Sequence, residues 1–205
     1  KIGDHSFSAL AGFVASRYVG ESANSSIRGF SDNKIHSMNA GTVLNKPSED
    51  YGASTNASVL GRVTYDYQNK YLATVNFRAD GSSKFGVNNR WGYFPSFSLG
   101  WRLTGEEFMK PLDWLSDLKL RVGWGQVGND QVGYYSSYGI YGIGANYNMD
   151  GIILPGYYQS QIGNDKLRWE RTTQTNVGLD FSFLNGRMTL TADAYYKKTT
   201  DLLLM

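Results

Sequence analysis

Seven segments of this chain alternate apolar and polar residues with a period of two, and in six of them the apolar face carries no charge at all. Period-two alternation belongs to β-strands with two unlike faces; a helix would show a stripe of period 3.6. The segments are about 5–20, 58–67, 70–80, 91–103, 118–126, 172–184 and 187–198. Val63, Val75, Leu99, Val122, Leu179 and Ala192 typify the uncharged face. The opposite face holds eleven charges: Arg62, Asp66, Lys70, Arg78, Asp80, Arg102, Lys119, Arg121, Asp180, Asp193 and Lys197. The expected fold is therefore all-β, an antiparallel up-and-down meander of about seven strands.

Turn chemistry tests this register. Asn185-Gly186 is a strong type I′ signal, and a two-residue loop there sets Phe183 opposite Met188 and Phe181 opposite Leu190. Apolar then meets apolar, so turn and face assignment agree. For the earlier turn, a three-residue loop at 67–69 keeps like faces together and pairs Tyr65 with Tyr71 and Val63 with Ala73. Between the fourth and fifth segments, Thr104 is placed to cap a short helical turn that starts with Glu106 and Glu107. Connections alternate in length: 21–57, 81–90 and 127–171 are long or polar, whereas 67–69, 104–117 and 185–186 are shorter. Outer-membrane barrels show that asymmetry, with long loops outside and short turns in the periplasm.

Composition removes several classes. The 205 residues carry 20 basic and 18 acidic side chains with no basic block, so a nucleic-acid partner is not expected. Cysteine is absent, which excludes disulfides and thiolate-ligated metal. No run of 18 apolar residues exists, so any membrane crossing must be made by strands. "GWGQVG" matches G-x-G-x-x-G but leads into "NDQVGYYSSYG", which does not read as the helix a dinucleotide site needs. His5 and His36 are the only histidines and have no metal or triad pattern around them. "GNDQ", "NMDG" and "GNDK" lack the D-x-D-x-D-G spacing of calcium loops and read as turns. No catalytic residue, metal or cofactor is expected.

The pattern allows two architectures, a transmembrane barrel wall or a soluble β-sandwich that could serve as a carbohydrate-binding or adhesive module. Aromatic placement favours the barrel. Trp91 and Trp101 share a face ten residues apart; at ~3.3 Å per residue and a tilt of ~40°, that separation covers about 25 Å, the height of the apolar band between aromatic girdles. Tyr65, Tyr67 and Tyr71 gather at one strand end and Tyr93 lies beside Trp91, where amphipathic rings suit an interface. Pro95 implies a bulge or a missing ladder bond in either architecture. The connection 127–165 concentrates Tyr134, Tyr135, Tyr138, Tyr141, Tyr147, Tyr157 and Tyr158. Tyrosine supplies contact area at low entropic cost, so these residues are candidates for partner or ligand contact, against self-packing of the loop.

"NKYLATVNFRADGSSKFGVNNRWGYFPSFSLGWRLTGEEFM" closely resembles the SusC/RagA-like TonB-dependent transporters of Bacteroidetes outer membranes. "HSFSALAGF", "LSDLKLRVGWGQVGN" and "KLRWERTTQTNVGLDFSFLNGRMTLTADAYYKKTTDLL" resemble the same family, in its order. The resemblance implies localisation in the bacterial outer membrane and a large barrel whose lumen is filled by an N-terminal plug. It also implies a SusD-like lipoprotein lid, TonB engaging an N-terminal box, and glycan or peptide import. Residues 1–205 are then expected to be a late section of the barrel without plug, TonB box or final strands. Arg62, Asp66, Arg78, Asp80, Arg102, Lys119, Arg121, Asp180 and Asp193 would line the lumen. Tyr65, Tyr67, Tyr71, Trp91, Tyr93 and Trp101 would mark the interfaces with outer-membrane lipid. Barrel-assembly or folding machinery is an additional expected partner if the chain was captured as a fragment. The same alternation would suit a passive porin, the alternative within the barrel reading.

Overall fold

The structure is a computed structural model that describes residues 2–35 and 37–203; His36 lies outside the described residues. Seven antiparallel strands form one sheet in strict chain order: β1 (His5–Asn24), β2 (Ser48–Tyr67), β3 (Tyr71–Ser82), β4 (Trp91–Arg102), β5 (Leu115–Asn129), β6 (Glu170–Phe183) and β7 (Met188–Thr200). A sandwich needs a second sheet packed on the first; the other ladders here are pairs of short strands within loops. The soluble-sandwich alternative is thereby set aside. Among the described residues no helix is long and apolar enough to cross a membrane.

The register confirms the two faces. Leu99 of β4 pairs with Ala73 of β3 and Val122 of β5, and Val122 in turn faces Val177. One residue along, Ser98 lies between Thr74 and Gly123. Phe183 opposes Met188 and Phe181 opposes Leu190, as the Asn185-Gly186 turn requires. That turn closes with the Arg187 amide donating to the Leu184 carbonyl at 3.2 Å. Leu184 joins Asn185 and Gly186 in the left-handed region, so the ladder stops a residue earlier than a two-residue loop implies.

Three local expectations are corrected. The β2–β3 loop occupies residues 68–70, pairing Tyr67 with Tyr71 and Tyr65 with Ala73 instead of Tyr65 with Tyr71. Gln68 (φ 52°) and Asn69 (φ 55°) both take left-handed backbone, and the Lys70 amide closes the turn onto the Tyr67 carbonyl at 2.9 Å. The Asp66 carboxylate accepts from the Asn69 amide at 2.9 Å, fixing the turn one residue later. Thr104 does not cap a helix. It sits inside the 3-10 turn Leu103–Gly105, and its hydroxyl donates to Asp117 at 2.9 Å. The third correction concerns length. β1 and β2 run well past the predicted ends, and the long connection carries a nested hairpin, Ile140–Ile143 with Tyr157–Gln161 and Tyr147–Met149 with Ile152–Leu154.

Pro95 pairs with Phe77 on the β3 side, while the β4–β5 ladder begins only at Ser96. The proline thus stands where a ladder bond is missing. β4 and β5 diverge above it, and the gap admits a small core. Phe85 and Phe94 are buried there; Leu115, at the opposite end of β5, is the other buried apolar side chain among the described residues. Phe85 is 0% and Phe94 5% exposed, and both pack on Trp169, with ring centroids 5.2 and 5.5 Å away. The apolar sheet face is uncovered. Val63, Val75, Leu99 and Leu190 are all more than half exposed, an arrangement that water does not support without a second layer.

Candidate functional site

All nine sequence-predicted lumen residues fall on one face of the sheet. The cross-strand register leaves no freedom here: Arg62 faces Asn76, Asp80 faces Gly92, Arg102 faces Lys119, and Asp180 lies between Lys119 and Thr191.

Adjacency converts these charges into networks. Arg121 donates in bidentate fashion to Asp180 at 2.8 and 2.9 Å and reaches Asp193 of β7 at 3.0 Å. To do so it crosses β6 over Gly178, the residue paired with both Arg121 and Asp193. A Cβ at Gly178 would meet the Arg121 guanidinium at 2.7 Å and also the Asp193 carboxylate. The missing side chain is what lets one arginine bridge three strands. Arg102 pairs with Asp117 at 3.3 Å, and Arg78 binds Asp80 two residues along its own strand at 2.8 and 3.2 Å. Arg62 donates to the Asn76 amide oxygen at 2.6 Å, and Asn76 donates onward to Ser96 at 3.1 Å. Asp66 serves the β2–β3 turn. Lys119 makes no ion pair within 4.0 Å among the described residues. Arg62, Asn76, Arg78, Asp80, Phe94 and Ser96 border a groove of about 540 Å³ on this face. Such a polar wall, with most of its charges paired, is wettable and can offer hydrogen bonds to a hydrophilic solute.

The aromatics expected at the interfaces form two rims on the opposite face. At the short-turn end Tyr67 stacks on Tyr71 at 6.2 Å and Tyr71 on Trp101 at 6.4 Å, with Phe7 against Tyr65 at 4.9 Å continuing the row into β1. His5 shares a 2.9 Å hydrogen bond with the Tyr65 hydroxyl. At the long-loop end Tyr93 stacks on Phe77 at 6.2 Å and Trp91 lies over Gly81. Sequence reasoning missed the role of Glu106. Its carboxylate accepts from the Tyr71 hydroxyl at 2.6 Å and from the Trp101 indole at 3.1 Å, and Lys70 stands 3.7 Å away. Those hydrogen bonds, with the nearby ammonium, hold the Glu106 carboxyl below its usual range. No one-dimensional signal marks it, because Tyr71 and Trp101 are brought together only by the β3–β4 register.

The seven loop tyrosines divide. Tyr134 stacks on Tyr18 of β1 at 6.3 Å and covers Gly52 of β2, so it anchors the loop internally. The carbonyls of Tyr135 and Tyr138 both accept from the Gln161 side chain, at 3.2 and 3.0 Å, and the Tyr158 ring lies over Gly142. Tyr141 and Tyr157 are the most open to solvent, and Tyr138, Tyr147 and Tyr158 are about half exposed. The Asn/Asp triplets act in turns and clamps: Asp130 accepts from Ser82 at 2.8 Å, and the Asp165 carbonyl accepts from Asn89 at 2.9 Å. The three glycines of "GWGQVG" lie in the strand β5, with no helix following.

A single meander with one greasy and one charged face, rimmed by aromatics at both ends, is the wall of a transmembrane β-barrel. Residues 3–205 match the family described as TonB dependent receptor-like, beta-barrel, and the chain belongs to that family. TonB-dependent receptor P39 of Formosa agariphila is 38% identical over 201 residues, 97% of this chain and 19% of that protein. TonB-dependent receptor SusC of Bacteroides thetaiotaomicron is 45% identical over 154 residues, 73% of this chain and 15% of that protein. Among solved structures, the RagAB peptide transporter superposes with a TM-score of 0.86 at 29% identity, over 98% of this chain and 22% of that one. The chain thus spans about a fifth of the length of the relatives it matches. These relatives are outer-membrane β-barrel proteins, in agreement with the localisation expected from the sequence.

Proposed function

We propose that residues 1–205 are a segment of the wall of a plugged outer-membrane barrel that imports glycan or peptide nutrient with energy transmitted by TonB. The observation that carries this reading is the segregation of charge. Every charged side chain predicted for the lumen lies on one sheet face, and the other face is apolar and uncovered. In this reading the charged face borders a wet lumen, where the plug and the passing solute would sit. The aromatic rims sit at the two lipid interfaces. Membership of the TonB-dependent receptor family supports energised import over a passive porin. TonB would act through regions of the protein other than this wall. A SusD-like lipoprotein would lie over the long-loop end, where Tyr141, Tyr147 and Tyr157 stay open to solvent.

Replacing Tyr141, Tyr147 and Tyr157 with Ser in the complete transporter is expected to weaken co-purification of the lipoprotein and to slow uptake, with barrel assembly unchanged. Tyr134 is left in place because it holds the loop to β1 and β2. Uptake of a labelled neutral oligosaccharide and of a labelled oligopeptide, measured side by side, assigns the substrate class. Wild-type co-purification and uptake in the triple variant would remove this loop from the partner surface.

A further inference from the structure

Residues 103–114, which join β4 to β5, hold large apolar side chains outward. Phe108 is 63%, Leu112 38% and Trp114 56% exposed. A turn that only connects two strands in water gains nothing from displaying three such groups. Their place in the fold supplies a reason. Trp114 lies 5.9 Å from Phe181, which itself packs against Phe183 at 5.4 Å. Phe181 pairs with Leu118 and Leu190, so this cluster belongs to the apolar face of the sheet. The turn is also fastened to the aromatic rim. Glu106, between the two 3-10 turns, takes hydrogen bonds from Tyr71 and Trp101 of the rim and faces Lys70. Near its start Thr104 donates to Asp117 of β5 and accepts from the Leu118 amide at 3.4 Å.

We propose that this turn is a membrane-interface anchor. Phe108, Leu112 and Trp114 seat in the phospholipid headgroup layer at the short-turn end of the barrel and extend the rim sideways across β4, β5 and β6. The Lys110–Glu107 ion pair, 2.7 Å long, stays on the aqueous side. The occupant is lipid and not a protein because the patch is continuous with the rim and the apolar face, and because indole and phenyl rings beside charged groups suit the headgroup layer. Glu106 is the positioning residue: with its charge satisfied by rim donors, it sets the depth of the turn. The inference rests on the reading of the apolar face as the lipid-facing one.

The test places an environment-sensitive fluorophore on single cysteines in the full-length transporter, reconstituted in phosphatidylcholine vesicles with lipids brominated either near the headgroup or deep in the acyl chain. The positions are Phe108→Cys, with Leu112→Cys as a second reporter, Leu99→Cys on the apolar face of β4, and Gln68→Cys in the neighbouring turn. Shallow bromines are expected to quench the probes at 108 and 112 at least about two-fold more than the probe at 68, as interfacial depth requires. Deep bromines should quench the probe at 99. Adding Glu106→Ala should shift the probe at 108 toward quenching by aqueous iodide without altering the probe at 99. If the probes at 108 and 112 respond to iodide as the one at 68 does, while 99 remains lipid-quenched, the anchor is refuted and the apolar face stands. That outcome would point to a periplasmic protein as the occupant. If 99 is itself open to iodide, the lipid-facing reading fails and the anchor fails with it.

Discussion

Phe97→Arg is expected to destabilise the complete barrel by about 2–4 kcal/mol, the cost of an arginine held on the lipid face near the bilayer midplane. Phe97 lies near the middle of β4 between the rim residues Trp91 and Trp101, and its flanking partners Val75 and Trp124 offer no counter-charge. Ser98→Arg is the matched control. It enters the face that already holds Arg102 and Arg121, beside Thr74 and Gly123, and is expected to cost well under half as much, because a wet lumen hydrates the guanidinium. Reversible unfolding in bilayers, followed against denaturant, gives both values. Equal costs at the two positions would remove the distinction between the faces.

The second large effect is expected at the loop base. Phe85→Ala should cost about 3–5 kcal/mol of local stability, the usual range for truncating a buried phenylalanine. The cost is local because the cluster is local. Phe85, Phe94 and Trp169 pack together where β4 and β5 have diverged, and the Trp169 indole donates to the Arg90 carbonyl at 2.9 Å. Gly92 and Gly128 leave room for the Phe94 ring, which an added Cβ at either position would strike. Hydrogen exchange should therefore accelerate in residues 85–92 and 164–169 while the amides of β3 and the β4–β5 ladder keep their protection. Unchanged exchange in those two segments would mean that the cluster does not hold the long connection in place.

The faces of the sheet were legible in the sequence because parity is robust. Shifting a strand by two residues exchanges partners but leaves every side chain on its own face. That same robustness hid the β2–β3 register, where loops at 67–69 and 68–70 both satisfy the alternation. Only the left-handed backbone at Gln68 and Asn69, two residues that do not announce it, selects between them. At Asn185-Gly186 the turn residues carry the signal themselves, and the observed register is the one they specify. The outer ends of β1 and β2 are illegible because beyond the apolar band both faces are wet. Glu21, Ser22, Ala23 and Asn24 then keep no period although they remain in strand. The nested hairpin is obscured by its short arms, three to five residues each, even though Asp150-Gly151 forms its tip.

The lumen-facing charges were likewise visible as a set, but their pairing was not. Arg121 reaches Asp193 only because two registers align and Gly178 lacks a side chain between them. Glu106 looks like a helix-start carboxylate in the sequence because its partners lie on two other segments of the chain. Tyr134 looks like its neighbours in composition, and only the packing on Tyr18 and Gly52 separates an internal anchor from an open contact residue.

Accessibility of single cysteines along β4, measured in the complete protein in native outer membranes, tests the division of the two faces most directly. Cysteines at Ser96, Ser98 and Gly100 should react with a small hydrophilic maleimide that enters the lumen. Cysteines at Phe97 and Leu99 should stay unlabelled and instead lose the emission of an attached fluorophore to brominated lipid. A strict two-residue alternation with the even positions open is the predicted result; labelling of Phe97→Cys and Leu99→Cys as fast as the even positions, or faster, would contradict the account.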